Sequence, residues 1–176
     1  RQMIEDNGLV VMRCHDVWNQ VEDISIPDSW AQMIGLKKRV AGDGYYRVYD
    51  VTGHTARSMA EQVARNTRSL GQSAVQLVGP AEQAVTRVAI GTGAITPFAH
   101  LMETYGVDLA ICSDDGFTYW RDGAMAIDMG LPVIIVNHPV SEIHGIKQLH
   151  THLDQTLADI DVHWIEQACM YELITG

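Results

Sequence analysis

The segment Asn137-His138-Pro139-Val140-Ser141-Glu142 holds the residue types best suited to chemistry. His138 stands at the end of an apolar strand-like run, Pro132–Val136, and Ser141 reads as a helix N-cap with Glu142 in the first turn. An imidazole and a carboxylate four residues apart can converge on a divalent cation, and such mixed N/O donors suit Zn²⁺, Fe²⁺ or Mn²⁺. The plainer use of the same residues is a carbonyl bond for His138 and a dipole contact for Glu142; spacing alone leaves both open. A second segment, Cys14-His15-Asp16-Val17-Trp18-Asn19, offers His15 and Asp16 as further metal ligands, or simply a turn capped by Asp16. Asp114-Asp115-Gly116 supplies carboxylates at another strand end, where Asp114 could orient water or substrate or only shape a turn. Gly91-Thr92-Gly93-Ala94 could turn backbone N–H groups toward an anion or a carbonyl oxygen, but Thr96 stands where a dinucleotide loop needs its third glycine.

The elements that must position these groups read as follows. Residues 1–7 form a helix stopped at Asn7-Gly8, followed by a β-rich run, Leu9–Arg13. Trp30–Ile34 is a short helix, Tyr45–Val51 a strand and Thr55–Leu70 an amphipathic helix. Strands at Ala74–Val78, Arg87–Ile90, Asp108–Cys112, Pro132–Val136 and Val162–Ile165 then alternate with helices at Pro97–Tyr105, Tyr119–Met129 and Ser141–Leu157. Near-continuous apolar strands between helices imply an α/β fold with a buried, largely parallel sheet and flanking helices. Ligands of such sheets sit beyond the C-terminal strand ends. Four polar loops, Cys14–Asn19, Gly91–Ala94, Ser113–Gly116 and Asn137–Glu142, are therefore expected at one crevice. The cationic, glycine-rich stretch Gly35–Gly44 is expected to join two lobes.

Composition narrows the partners. The chain has 176 residues, 47% of them hydrophobic and 19% charged, enough for a core without disulfide staples. A net charge of −10 argues against nucleic acid or an anionic membrane surface as the main partner, since phosphate binding needs clustered cations. The three cysteines, Cys14, Cys112 and Cys169, form no CxxC pair, which points to a reducing, cytoplasmic setting. No apolar run approaches the ~20 residues of a membrane span. The opening RQMIEDNG reads as the end of a helix already under way, so a preceding segment is expected.

Val88–Ile95 (VAIGTGAI), Gly106–Asp115 (GVDLAICSDD) and Met129–Leu149 (MGLPVIIVNHPVSEIHGIKQL), in that order and spacing, resemble the C-terminal part of the Nif-three-like dinuclear metal-centre hexameric proteins. These are also known as GTP cyclohydrolase type-two homologues. Glu5–Asn19 resembles the family's middle stretch, a strand followed by a His-x-x-x-Asp loop. The resemblance implies a two-lobed α/β fold with residues 1–40 as the remainder of a split first lobe, its N-terminal part missing, and 41–176 as the main lobe. It also implies assembly into a homohexameric ring and a pair of divalent ions between the lobes. The family's late His and Glu ligands match His138 and Glu142. Its His-x-x-x-Asp aspartate falls at Asn19, a neutral and poorer ligand whose place adjacent Asp16 could take beside His15. A His-rich ligand loop of the family lies upstream of the stretch matched here, and a further family histidine falls near Arg121. The expected activity is metal-dependent hydrolysis of a small molecule, with Arg13 and Arg121 offsetting substrate charge. The alternative is a non-catalytic, ring-forming metal-binding adaptor or regulator.

Overall fold

The structure is a computed structural model and describes residues 1–93 and 97–174, the side chain of Phe98 left aside. In chain order the elements are α1 (Gln2–Asp6), α2 (Asp16–Asn19), α3 (Ile26–Ile34), β1 (Arg39–Ala41), β2 (Tyr46–Thr55), α4 (Ala56–Thr67), β3 (Gln76–Val78), β4 (Ala84–Gly91) and α5 (Phe98–Tyr105). They continue with β5 (Leu109–Ser113), α6 (Ala124–Asp128), β6 (Val133–Val136) and α7 (His138–Thr156). The strands form one sheet in the order β1-β2-β4-β5-β6-β3. Its centre, β4-β5-β6, is parallel, with Ile90 beside Ile111 and Ser113 beside Val136. The flanking pairs β1-β2, β2-β4 and β3-β6 are antiparallel.

The side-chain alternation of a strand explains the layers. On β5, Leu109 and Ile111 point into a core shared with Trp30, Ile34, Met59, Val63, Val140 and Ile143 of α3, α4 and α7. Ala110 and Cys112 face the opposite side, toward Phe117, Ala126 and Leu131. Both faces of β5 and β6 are covered, so every residue of LAICS and VIIV is buried. Each fully buried aliphatic side chain of this kind contributes about 1.5–3 kcal/mol.

Some elements differ from the sequence reading. Leu9–Arg13 forms no strand and pairs with none among the described residues, and Val10 is 94% exposed. β-branched residues favour a strand only where a pleated neighbour covers them, and none lies beside this run. Val162–Ile165 is likewise irregular, although Trp164 packs against the core. Tyr119–Met129 divides into a π-type turn, Tyr119–Gly123, and the short α6. The apolar residues Ile146, Leu149 and Leu153 of α7 and its C-cap Leu157 are half-buried or exposed, whereas Val140, Ile143 and Gly145 of its first half are covered. Among the described residues no helix is long and apolar enough to cross a membrane.

The start of α7 is the correction that matters most. The helix begins at His138 with Asn137 as its N-cap, not at Ser141. Pro139 fits the first turn, where its missing N–H costs nothing. Ser141 instead turns its hydroxyl back to donate to the His138 carbonyl at 2.8 Å. His138 and Glu142 thereby become one-turn neighbours on a single helix face.

Candidate functional site

Three parallel strands deliver three polar loops to one edge. β4 ends at Gly91 before Thr92 and Gly93, β5 ends at Ser113 before Asp114 and Asp115, and β6 ends at Val136 before Asn137 and His138. A buried chain of hydroxyls ties them together. The Gly93 N–H donates to Ser113 Oγ at 3.2 Å, Ser113 and Ser141 hydroxyls meet at 3.3 Å, and Ser141 donates onward to His138. Asp114 clamps the same junction: Oδ1 accepts from the His138 N–H at 3.1 Å and Oδ2 accepts from Asn137 Nδ2 at 2.8 Å. Asn137 Oδ1 accepts from the Met170 N–H at 2.9 Å, and the Asn137 N–H donates to buried Gln72 at 3.1 Å.

His138 is therefore fixed at its backbone, and its ring is held from both sides. Nδ1 lies 2.6 Å from Asp115 Oδ2 and Nε2 lies 2.9 Å from Glu142 Oε1. The bond to Glu142 favours the imidazolium, partial burial opposes it, and the bond to Asp115 adds to the first effect. Together they push the His138 pKa up to about 9. Gly93 has φ +83°, and a Cβ built there would lie 4.0 Å from Glu142 Oε1, so the β4 loop brings bare backbone up to the carboxylate.

Cys14–Asn19 reaches the same place without a preceding strand. Trp18 is buried, and its Nε1 donates 2.8 Å to the carbonyl of Gly145 in α7. Gly145 itself lies so close to α3 that an added Cβ would stand 2.6 Å from Ile26 Cα. Anchored at that point, α2 presents His15 and Asp16, whose Nδ1 and Oδ1 lie 2.5 Å apart. The His15 bond holds the exposed Asp16 carboxyl below its usual range. Asn19 Nδ2 donates to the His15 carbonyl at 3.1 Å, and Asn19 Oδ1 is buried with no partner among the described residues.

The outcome for the sequence-named residues is specific. His15, Asp16, His138 and Glu142 line one cavity of about 340 Å³, together with Asn19, Tyr45, Tyr46, Thr92 and Gly93. Asp114 lies outside it and lines a second cavity of about 360 Å³, whose wall His138 and Glu142 also share. With both oxygens engaged, Asp114 fixes the strand–helix junction. The carboxylate that touches the imidazole is Asp115. The expected anion cradle is reduced, since the Gly93 N–H is spent on Ser113 and Ala94 lies outside the described residues. Arg121 pairs with Asp122 at 2.8 Å and lines neither cavity. The sequence reading missed Asn19 as an inward-facing acceptor, and also Thr92, Tyr45 and Tyr46. Tyr46 carried a readable signal only through topology, because it pairs with Gly91 across β2-β4.

A donor set for a divalent ion is partly in place. An imidazole Nε2 beside a carboxylate, with a second carboxylate on Nδ1, matches the way metal-ligating histidines are oriented from behind. Among the described residues no three His, Cys, Asp or Glu side chains are already clustered closely enough to hold an ion. The groups from α2 and α7 line the same cavity without forming such a cluster.

The sequence profile of Duf34/NIF3 (NGG1p interacting factor 3) matches residues 2–169. Similar solved structures include one described as protein ybgI of unknown function, with TM-score 0.76, 20% identity, and coverage of 93% of this chain and 64% of that one. The hypothetical protein SA1388 of Staphylococcus aureus aligns with TM-score 0.72 and 15% identity over 92% of this chain and 66% of its own. Reduced HcgD from Methanocaldococcus jannaschii aligns with TM-score 0.69 and 17% identity over 88% and 60%. At these identities the likeness concerns the fold. The chain spans less than two-thirds of the length of each of the three, at 64%, 66% and 60%. No curated protein sequence matches it significantly.

Proposed function

The chain belongs to the Duf34/NIF3 family, and from that premise and the geometry of its cavity we propose that it binds divalent metal and acts as a metal-dependent hydrolase of a small molecule. The observation that carries the reading is His138, with Asp115 on Nδ1 and Glu142 beside Nε2 at the cavity wall. In this reading His138 Nε2 and Glu142 hold one ion of Zn, Fe or Mn, and His15 and Asp16 serve the same or a second ion from the α2 wall. A bound divalent ion makes water a nucleophile near neutral pH and polarises a substrate oxygen. Asp115 keeps the Nδ1 proton and so leaves Nε2 as the donor; Asp114 and Asn137 are positioning residues that fix the turn carrying His138. Assembly into a homo-oligomeric ring, hexameric by family resemblance, belongs to the same proposal.

Elemental analysis of the chain reconstituted with Zn²⁺, Fe²⁺ or Mn²⁺ tests it. His138→Ala and Glu142→Ala should each abolish the retained metal, and a chelator should abolish any hydrolysis of a phosphoester or amide panel. Unchanged metal content in both variants overturns the site, and turnover that survives chelation overturns metal catalysis. A second reading, a ring-forming metal-binding adaptor without catalysis, is favoured by one observation. Tyr119, Trp120 and Ile127, close in sequence before and within α6, are 57%, 80% and 62% exposed, and apolar side chains grouped in this way suit a protein contact. Retained metal and a stable ring by light scattering, with no turnover across the panel, would select that reading.

A further inference from the structure

Residues 158–174 follow α7 without forming a helix or strand, and of them only Val162, Trp164 and Cys169 are half-buried. Two short attachments hold this strap. At the first, the Val162 carbonyl lies 3.3 Å from His150 Nε2, and Trp164 packs on the main core with its ring edge-on to His150. At the second, the Cys169 N–H donates to the Leu70 carbonyl at 2.9 Å, the Met170 N–H donates to Asn137 Oδ1 at 2.9 Å, and Gln72 Nε2 donates to the Tyr171 hydroxyl at 3.1 Å. Ile165, Gln167 and Met170 of the strap line the cavity of about 360 Å³ that Asp115, His138 and Glu142 also line. With so few bonds and so little buried surface, the strap belongs to the low end of local stability.

The second attachment takes over the N-cap of α7. An asparagine at that position ordinarily accepts from an N–H of the first helical turn. Asn137 makes no such bond. Its Oδ1 accepts from the strap and its Nδ2 donates to Asp114, whose other oxygen holds the His138 N–H. Pro139 has no N–H to offer, so the donor that competes with Met170 is Val140. Turned toward Val140, Oδ1 leaves Met170 and Nδ2 leaves Asp114. Buried Gln72 belongs to the same linkage, since it donates to Tyr171 and accepts from the Asn137 N–H at 3.1 Å.

We infer that residues 158–174 are a latch that regulates the His138–Glu142 site through Asn137. Docked, the strap keeps Asn137 on Asp114 and so fixes the turn that carries His138. Lifted, it releases Asn137 to cap α7, loosens that turn and lowers the affinity of the site for a divalent ion. The inference rests on the metal-binding reading for this last consequence; the coupling of strap to turn stands without metal. By linkage, an ion that prefers the docked form holds the strap down by the same factor.

Two measurements on the full chain test it. The first is amide exchange of metal-free wild type and Trp164→Ala. Trp164 lines neither the 340 Å³ nor the 360 Å³ cavity, so its truncation weakens the first attachment without touching the site. Strap amides and the His138 N–H should exchange about tenfold faster, while those of β5 keep their wild-type rate. Acceleration confined to the strap, or shared equally by β5, overturns the latch. The second is alkylation of Cys169 by N-ethylmaleimide, with peptide mapping to separate it from exposed Cys14 and buried Cys112. Saturating Mn²⁺ should slow the labelling of Cys169 about five- to tenfold in the wild type and leave it unchanged in His138→Ala, and Trp164→Ala should weaken Mn²⁺ binding by up to the same factor. Mn²⁺-loaded protein whose Cys169 reacts at the metal-free rate overturns the regulation. Tyr171→Phe removes only the hydroxyl that Gln72 meets. It should move both readouts in the same direction by about threefold, and it decides the question if Trp164→Ala fails to fold. A chain that retains no Mn²⁺, Zn²⁺ or Fe²⁺ removes the metal-binding reading, and the exchange of the His138 N–H then decides the latch alone.

Discussion

Arg47 and His138 are both flanked by carboxylates, and only the second is proposed to give way to another cation. Arg47 in β2 is fully buried, with Nε 2.7 Å from Asp28 Oδ1 and Nη2 3.0 Å from Asp28 Oδ2, while Nη1 donates to the carbonyls of Gly44 and Tyr46. Burial alone would raise the Asp28 pKa, but its bonds to Arg47 and Ser25 outweigh this and hold it below the usual carboxylate value. His138 is also flanked by carboxylates, yet its side chain is 27% exposed and faces a cavity. A guanidinium never yields its proton in a protein, and its donors match a carboxylate in two bonds. An imidazole gives up one proton and then offers a lone pair to a metal. The Arg47–Asp28 pair therefore pins β2 to the start of α3, whereas the arrangement at His138 is the one proposed to hold a place for another cation.

The largest expected effect breaks the fixed side. Asp28→Ala leaves the Arg47 charge buried without its carboxylate, which costs about 3–5 kcal/mol. Thermal melting should fall by roughly 10 °C or more for a chain of this size. A melting temperature within a degree or two of wild type would show that the pair is not a fixed structural cation. The next effect concerns the exchangeable side and appears in metal-free protein. The folded pKa of His138 is about 9, above the ordinary histidine value of 6.5. Its contribution to stability is then complete below pH 6.5 and is lost as pH rises through 9, on the order of 2–3 kcal/mol. Denaturant midpoints measured between pH 6 and 10 should fall over that window, and His138→Gln should flatten the decline. Metal uptake should show the reverse trend, strengthening up to about pH 9, because the Nε2 proton must leave first.

The same contrast accounts for what the sequence made legible. The central strands were readable because LAICS and VIIV are apolar throughout, which only a sheet covered on both faces permits. His138 and Glu142 were readable by spacing, and Pro139 could have placed the helix start correctly. Asp115 was not separable from Asp114, since adjacent carboxylates in a turn point in different directions that only the backbone sets. Leu9–Arg13 misled because propensity cannot reveal whether a neighbouring strand exists. Asn19 and Thr92 gave no local signal at all. An unpaired buried atom is a property of the packed surroundings, and neither residue type is unusual in a loop.

The walls of the proposed metal site come from distant parts of the chain, and one glycine brings them together. Gly145→Ala would place a Cβ 2.6 Å from Ile26 Cα, a backbone atom that cannot yield cheaply. Such overpacking costs about 1–3 kcal/mol, and it should separate α3 and α2 from α7. Metal retention should fall along with the melting temperature, whereas Asp28→Ala should lower stability and leave metal retention in the remaining folded protein close to normal. Metal loss of equal size in both variants would remove the distinction between a fixed and an exchangeable cation.

The smallest effect is the most local. Trp18→Phe keeps the apolar packing of α2 but removes the Nε1 donor, leaving the buried Gly145 carbonyl without that bond. One such hydrogen bond is worth about 1 kcal/mol, so global melting should change little. The loss should instead appear as faster amide exchange in residues 16–19 than in α7, because α2 is a single turn whose helical bonds alone cannot hold it. If α2 opens and metal is retained unchanged, His15 and Asp16 are dispensable and His138 with Glu142 suffices. If metal is lost in proportion to that opening, the site needs both walls, and the indole bond is what keeps them facing each other.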